Sequence, residues 1–88
     1  MRKPSFTKQF ERDLKKSLKR GQNKEKIKAI IVKLVNEESL EPKYSDHKLK
    51  GTYQNRRECH IEPDWILIYK IEGERIIFER TGSHSDLY

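Results

Sequence analysis

The sequence predicts an α+β fold in which an N-terminal helical hairpin packs on a small, twisted antiparallel sheet of three to four strands. Residues 6–35 carry apolar side chains at helical spacing, whereas residues 53–80 hold three short runs rich in β-branched and aromatic residues, separated by turn formers. The 88 residues are enough for one domain with one modest core. We therefore treat residues 1–88 as a single domain.

The two predicted helices are short and amphipathic. Thr7 supplies the N-cap of the first, which carries an apolar residue at every fourth position: Phe6, Phe10, Leu14 and Leu18. Gly21 ends this helix and Asn23 opens the second, whose apolar face consists of Ile27, Ile30, Ile31, Leu34 and Val35. Because so few residues connect them, the helices are expected to form an antiparallel hairpin.

The remaining elements are a loop and the strands. Residues 37–50 show little periodicity and many turn formers, which predicts a connecting loop. Strands are predicted at roughly 53–61, 64–71 and 75–80, and a short strand before the first helix would make a fourth. The middle run, WILIYKI, is apolar on both faces, as expected for a central strand.

Charge separates the two halves of the chain. The net charge is +6, with fifteen basic and seven acidic residues in 1–50, against five and seven in 51–88. The helical half therefore provides attraction to a polyanion. Its clearest basic stripe consists of Lys8, Arg12, Lys15 and Lys19.

Several patterns bear on compartment. Cys59 is the single cysteine, so no intrachain disulfide can form and a reducing compartment is favoured. The chain has no apolar run of membrane-spanning length, and its N-terminus lacks the apolar centre of a secretory signal. We expect a cytoplasmic protein without membrane attachment.

The chemistry-bearing residues lie in the last third of the chain. Cleavage of RNA by its own 2′-hydroxyl needs a proton acceptor, a proton donor and positive charge on the phosphate, which histidine, carboxylate and arginine supply without metal. His60 and Asp64 flank one predicted turn, and the pairing of the last two strands should bring Asp64 near Arg80, with His84 following. Glu58 shares a strand face with His60, so it can orient His60 or Arg80.

Each candidate also has a purely structural explanation. The structural roles are a solvated loop residue for His47, a turn for Asp64, a cross-strand ion pair with Glu58 or Glu79 for Arg80, core packing for Trp65 and a frayed end for Tyr88. A catalytic role is favoured because several chemically different groups converge on one edge of the predicted sheet, rather than by any single residue.

The alternation of the last strand leaves one question open. It places Arg80 on the face of Ile76 and Phe78, so either the strand bends before Arg80 or that face is the floor of the site.

No cofactor is indicated by the sequence. The three histidines match no compact metal-ligand spacing, and the four isolated glycines form no phosphate-binding loop. Strand alternation places Cys59 opposite His60, which disfavours a cysteine nucleophile.

Three segments carry a specific resemblance to a known family. HKLKG, RECHIEPDWILIYK and FERTGSHSDLY resemble the YafQ group of the RelE/ParE superfamily of bacterial toxins, and the likeness covers essentially the whole chain. It implies a RelE-like fold and the toxin of a type II toxin–antitoxin module, which cleaves messenger RNA in the ribosomal A site without a metal cofactor. The implied partners are a RelB/DinJ-like antitoxin, the ribosome and mRNA.

The resemblance also implies roles for particular residues. Arg80 would hold the scissile phosphate, and Tyr88 stands where the family has a terminal phenylalanine. The implied catalytic set is His47, His60, Asp64 and His84. Within it, we expect Asp64 or His60 to take the 2′-hydroxyl proton and His84 to protonate the leaving oxygen, which leaves a 2′,3′-cyclic phosphate and a 5′-hydroxyl.

RNA binding is assigned to further residues. The basic group expected to steer RNA consists of Lys48, Lys50, Arg56 and Arg57. Trp65 is a candidate platform for stacking on a base, and the basic stripe of the first helix would face ribosomal RNA.

Two readings without RNA chemistry remain open at this point. One is a ParE-like relative that acts by binding a protein such as gyrase, and the other is a silent RNA-binding or partner-binding module. The His and Asp set favours the nuclease, because ParE-like relatives generally lack it.

Overall fold

The computed structural model describes the backbone of residues 1–88 and every side chain except that of Thr52. In chain order the elements are β1 (Lys3–Phe6), α1 (Lys8–Lys19), α2 (Lys24–Val35), β2 (His47–Lys48), β3 (Arg57–Glu62), β4 (Trp65–Glu72), β5 (Arg75–Gly82) and α3 (His84–Leu87). Two 3₁₀ turns, Pro42–Tyr44 and Gly51–Tyr53, flank β2. None of the described helices combines the length and apolarity that crossing a bilayer requires.

The predicted α+β class is confirmed, and the sheet is larger than predicted. Five strands lie in the order β1-β5-β4-β3-β2. β1 pairs in parallel with β5, so the sheet is mixed rather than purely antiparallel. Phe6 lies in β1, opposite Phe78 of β5, and does not belong to the first helix. The predicted 37–50 loop contributes β2, which pairs His47 with Glu58 and Lys48 with Arg57.

The helix boundaries follow the predicted caps. The Thr7 hydroxyl oxygen accepts a hydrogen bond from the Phe10 amide at 2.9 Å, and the Asn23 side-chain oxygen accepts one from the Glu25 amide at 2.9 Å. Between the helices Gly21 has a φ of 98°, a left-handed conformation that glycine adopts without steric cost. A short turn therefore separates α1 from α2, as the sequence predicts.

The main core lies between the helices and one face of the sheet. Its buried members are Phe10, Ile27, Ile30, Leu34, Cys59, Ile61, Trp65, Leu67, Tyr69, Ile76 and Phe78. Trp65 is only 1% exposed, which corrects its assignment as a base-stacking platform: the ring fills the core at the start of β4. Cys59 is fully buried on this same face, and burial raises the pKa of its thiol to about 12.

A smaller cluster covers the opposite face of the sheet. Ile66, Ile68 and Leu87 are buried there, with Leu49 and Tyr53 packed against them. This placement confirms that β4 is apolar on both faces. Because α3 supplies Leu87, the C-terminal residues are held over this second face, where the candidate site lies.

A one-residue bulge in β5 resolves the position of Arg80. Tyr69 pairs with Phe78, but Ile68 pairs with Arg80, so Glu79 is the extra residue. Cross-strand partners share a face, so Arg80 leaves the core face of Phe78 and joins the face of Ile68. The strand thus bends before Arg80, which is the first of the two alternatives left open by the sequence.

Candidate active site

Three imidazoles form a row on the second face of the sheet. The ring centroids of His47 and His60 lie 6.4 Å apart, and those of His60 and His84 lie 5.6 Å apart. Each ring comes from a different element, namely β2, β3 and α3. The structure therefore brings together the histidines that the sequence leaves dispersed over residues 47–84.

The Glu58 carboxylate lies at the centre of this row. Its side chain is 8% exposed, and its Oε2 atom is 3.2 Å from Nε2 of both His47 and His60. Its Oε1 atom accepts a hydrogen bond from the Tyr88 hydroxyl at 2.5 Å. A nearly buried carboxylate needs such partners. Of its two predicted targets, Glu58 contacts His60, whereas Arg80 is paired elsewhere.

Asp64 and His84 form a second pair of carboxylate and imidazole. The Asp64 Oδ1 atom accepts a hydrogen bond from the His84 amide at 2.9 Å and lies 2.8 Å from His84 Nδ1. The amide contact, followed by the imidazole contact, holds the pKa of Asp64 below its usual range. When Nδ1–H is donated to Asp64, Nε2 of His84 is free to carry a proton to or from a ligand.

The short helix α3 is fastened to the body of the protein by Asp86. Asp86 Oδ2 accepts hydrogen bonds from the Ser83 amide at 3.0 Å and from Arg20 Nη1 at 2.7 Å. The Ser83 hydroxyl in turn accepts one from the Asp86 amide, which completes a capping box. A Cβ atom at Gly82 would lie 3.0 Å from Asp86 Cβ, so the approach to α3 requires glycine. His84 and Tyr88 are positioned by these contacts.

Tyr88 is ordered by its own contacts and is not a frayed end. Its hydroxyl donates to Glu58, and its ring lies edge-on to the Tyr53 ring at 5.6 Å. Burial and the hydrogen bond to Glu58 both raise the pKa of the Tyr88 hydroxyl. The residue is still 60% exposed, so its ring offers a surface beside the imidazole row.

Arg80 is held by a residue outside the sheet. Its Nε donates to Asp13 Oδ2 at 2.7 Å and its Nη2 to Asp13 Oδ1 at 3.3 Å. These hydrogen bonds raise the pKa of the guanidinium further above its usual range. The predicted proximity to Asp64 is wrong because β5 continues to Gly82, which pairs with Ile66, and Arg80 therefore lies deeper in the sheet.

The predicted RNA-steering cations line one groove but do not share one face. The groove has a volume of about 1050 Å³, and its basic lining residues are Lys48, Lys50, Arg56, Arg57 and Lys70. Arg56 pairs with Glu79. Arg57 pairs with Asp46 and lies opposite Tyr69 in the sheet, so Arg57 and its partner Lys48 are on the face opposite Glu58. Strand alternation is the reason.

Comparison with known proteins places this geometry in a family. The family model described as a bacterial toxin of type II toxin–antitoxin system, YafQ, matches residues 2–88. The chain belongs to the YafQ family. The mRNA interferase toxin YafQ of Escherichia coli is 39% identical to this chain over 84 residues, which cover 94% of this chain and 91% of that protein.

Solved YafQ structures share the fold along the whole chain. The crystal structure of YafQ from Escherichia coli has a TM-score of 0.95 and 37% identity, covering 100% of this chain and 99% of that one. YafQ in the Escherichia coli DinJ–YafQ complex has a TM-score of 0.93 and 38% identity, with the same coverage. The resemblance read from HIEPDWILIYK and RTGSHSDLY is thereby confirmed.

One contact in this YafQ-family chain was missed from the sequence. Asp13 of α1 has no predicted role, although Phe10, Asp13 and Ser17 share the spacing of the buried side of the helix. A charged residue on that side is a usable signal, because such a residue needs a partner. In the described part of the chain, no group of three or more His, Cys, Asp or Glu side chains is arranged to hold a metal ion.

Proposed function

We propose that this YafQ-family chain is the toxin of a type II toxin–antitoxin module and acts as an endoribonuclease that cleaves mRNA in the ribosomal A site. The observation that carries the proposal is the pair of facing carboxylate–imidazole units, Glu58 with His60 and Asp64 with His84. One unit can accept a proton while the other donates one, as transesterification of RNA requires. The Escherichia coli relative named mRNA interferase toxin YafQ supports the same reading.

In this mechanism the RNA supplies its own nucleophile. The His60–Glu58 unit takes the proton of the 2′-hydroxyl, and the 2′-oxygen forms a bond to the adjacent phosphorus. The bond from phosphorus to the 5′-oxygen breaks, and His84 gives that oxygen a proton from Nε2. The products are a 2′,3′-cyclic phosphate and a 5′-hydroxyl, and no metal takes part.

The contacts of Asp64 favour His60 as the proton acceptor. Asp64 Oδ1 lies within hydrogen-bond distance of both the amide and Nδ1 of His84, so it orients the proposed acid. His60, by contrast, contacts the carboxylate of Glu58, which stabilises the imidazolium formed after proton transfer. His47, on the other side of Glu58, has the same contact and supports the charge of that carboxylate.

Arg80 and Tyr88 supply charge and position. Arg80 stabilises the negative charge that grows on the phosphate oxygens during attack. The exposed ring of Tyr88 stacks on a base next to the cut. Because the Tyr88 hydroxyl is committed to Glu58, its role is to hold that carboxylate rather than to contact the phosphate.

The basic surface accounts for recruitment. Lys50 and Arg56 attract RNA to the groove that they line. Lys48 and Arg57 line the same groove and add positive charge from the sheet face opposite Glu58. The stripe on α1 faces ribosomal RNA and consists of Lys8, Arg12, Lys15 and Lys19. Both contributions weaken as salt concentration rises.

The partner that restrains this activity is a cognate antitoxin resembling DinJ, encoded with the toxin. DinJ–YafQ structures from Escherichia coli motivate this assignment. An acidic or amphipathic antitoxin segment would neutralise the basic surface and cover or displace the imidazole row. The free toxin acts in the cytoplasm, where translating ribosomes present the message.

The proposal is tested by adding the protein to a purified translation system and mapping message ends by primer extension. Wild type should produce discrete cuts at the A-site codon that are absent without ribosomes and absent with His84→Ala. If translation stops while the message stays intact, the chain acts by binding alone, as the ParE-like alternative requires. If neither occurs with folded protein, the toxin assignment itself fails.

A further inference from the structure

Asp13 is an acidic residue of α1 buried against the last strand. It is 8% exposed, and its two oxygens accept four hydrogen bonds. Two come from Arg80 at 2.7 and 3.3 Å, one from the Thr81 amide at 3.2 Å and one from Gln9 Nε2 at 2.9 Å. A buried carboxylate with this many donors fixes the groups that it contacts.

We infer that Asp13 is a positioning residue for the reaction, holding the Arg80 guanidinium against the phosphate that is to be cleaved. The inference rests on the proposed function, because it assigns Arg80 to the scissile phosphate. It adds α1 to the elements that build the site, which otherwise come from β2, β3, β5, α3 and the turn before β4.

The hydrogen-bond arrangement leaves part of Arg80 available. A guanidinium carries five N–H donors, and Asp13 engages Nε and one N–H of Nη2. Both N–H groups of Nη1 and the second one of Nη2 are not used by Asp13. Asp13 thus occupies one edge of the guanidinium, and the Tyr53 hydroxyl also lies close enough to interact with it. The N–H groups outside the Asp13 contact can bind a phosphate, which prefers two parallel hydrogen bonds.

The bulge lies directly before Arg80. Glu79 is the extra residue of β5, so regular strand pairing is interrupted there and resumes with Arg80 opposite Ile68. Asp13 also accepts from the Thr81 amide, while the Thr81 hydroxyl donates to the Ile66 carbonyl at 2.7 Å. The strand end is therefore fixed from both sides. Glu79, the nearest carboxylate in sequence, is paired with Arg56 and does not draw Arg80 away.

A double-mutant cycle distinguishes a positioning role of Asp13 from a purely structural one. The variants are Asp13→Asn, Arg80→Ala and the two combined, and Gln9→Ala is the control that removes a contact of Asp13 without touching Arg80. Single-turnover cleavage of the message on ribosomes is measured at saturating toxin, and thermal unfolding is followed by circular dichroism.

The positioning role predicts strong coupling between the two residues. Arg80→Ala should lower the rate about 100-fold, the size seen when one transition-state donor is removed. Asp13→Asn should lower it about tenfold, and the double variant should match Arg80→Ala within about twofold, because a residue that acts through Arg80 has no effect without it. Gln9→Ala should stay near the wild-type rate. A double variant tenfold slower than Arg80→Ala would overturn the inference.

A second readout separates this inference from the proposed function. In wild type, the Nε–H of Arg80 should be protected from solvent exchange in nitrogen-15 NMR spectra. That protection should be reduced in Asp13→Asn, where a neutral amide oxygen replaces the carboxylate, and kept in Gln9→Ala. Undiminished protection in Asp13→Asn overturns the positioning role whatever the activity. If wild type cuts no message, the proposed function fails, whereas the NMR result still decides whether Asp13 holds Arg80.

Discussion

Replacing Glu58 with glutamine removes the negative charge at the centre of the imidazole row while keeping the shape of the side chain. In the structure, Oε2 of this carboxylate lies 3.2 Å from Nε2 of both His47 and His60. Its Oε1 atom accepts a hydrogen bond from the Tyr88 hydroxyl. The glutamine oxygen can still accept from Tyr88. It cannot stabilise an imidazolium at His60, so the unit proposed to take the 2′-hydroxyl proton should become a weaker base.

The expected loss of activity is much larger than the expected loss of stability. General acid–base groups contribute about 10²- to 10⁴-fold to a rate, so we expect about a 100-fold decrease for Glu58→Gln. That decrease corresponds to about 2.7 kcal/mol of activation free energy. The substitution weakens the hydrogen bonds to this side chain, because hydrogen bonds to a charged group are stronger than those to a neutral one. It also removes the free-energy cost of burying a charge, and the two effects oppose each other. The free energy of unfolding should therefore change by no more than about 1 kcal/mol.

The assay compares single-turnover cleavage rates on ribosomes with unfolding measured in urea. Glu62→Gln is the matched control, because Glu62 lies on the same strand but pairs with Lys26 on α2. It should keep the wild-type rate within about twofold, since exposed ion pairs contribute little. A folded Glu58→Gln protein that cleaves at the wild-type rate would refute the role given to this carboxylate.

Three further predictions concern α3, the terminal ring and the buried thiol. Tyr88→Phe should keep message binding but lower the cleavage rate about tenfold, because Glu58 loses a hydrogen bond of about 1.5 kcal/mol, whereas Tyr88→Ala should also weaken binding to a 2′-deoxy message. Equal binding by both variants would exclude stacking. The pKa of Asp86 is lowered by the Ser83 amide and by Arg20, so its stabilising effect is complete above pH 4 to 5 and is lost as pH falls. The stability difference between wild type and Asp86→Asn, measured by urea unfolding, should thus narrow below about pH 4. A difference that widens in acid would contradict this assignment. Cys59, with a pKa raised to about 12, should not react with a thiol reagent at pH 8 until the protein unfolds. Rapid labelling of the native protein would show that the core is open.

Local patterns in the sequence predict most of the fold. Thr7 and Asn23 act as the caps that their residue types suggest, and the first five residues of WILIYKI form a strand segment buried on both faces. These features depend on neighbours within one or two turns of chain. The convergence of His60, Asp64 and His84 was likewise predictable, because hairpin pairing fixes which strand ends lie together.

The remaining features depend on contacts between distant residues. The bulge at Glu79 shifts Arg80 to the other face, and a shift of one residue cannot be read from alternation. Asp13 and Arg80 are 67 positions apart, so only the packing of α1 on β5 brings them together. The parallel pairing of β1 and the short strand β2 also require the assembled sheet. Trp65 has amphipathic character that suits either the core or a binding surface, and burial decides between them.

The central claim is that the RNA provides its own nucleophile, activated between the Glu58–His60 and Asp64–His84 units. The most direct measurement uses a ribosome-bound message with a single 2′-deoxy nucleotide on the 5′ side of the cut, together with analysis of the product ends of the unmodified message. We predict no cleavage at the deoxy position, and 2′,3′-cyclic phosphate with 5′-hydroxyl ends from the unmodified message. Cleavage of the deoxy message at an undiminished rate, with 3′-hydroxyl and 5′-phosphate ends, would contradict the account.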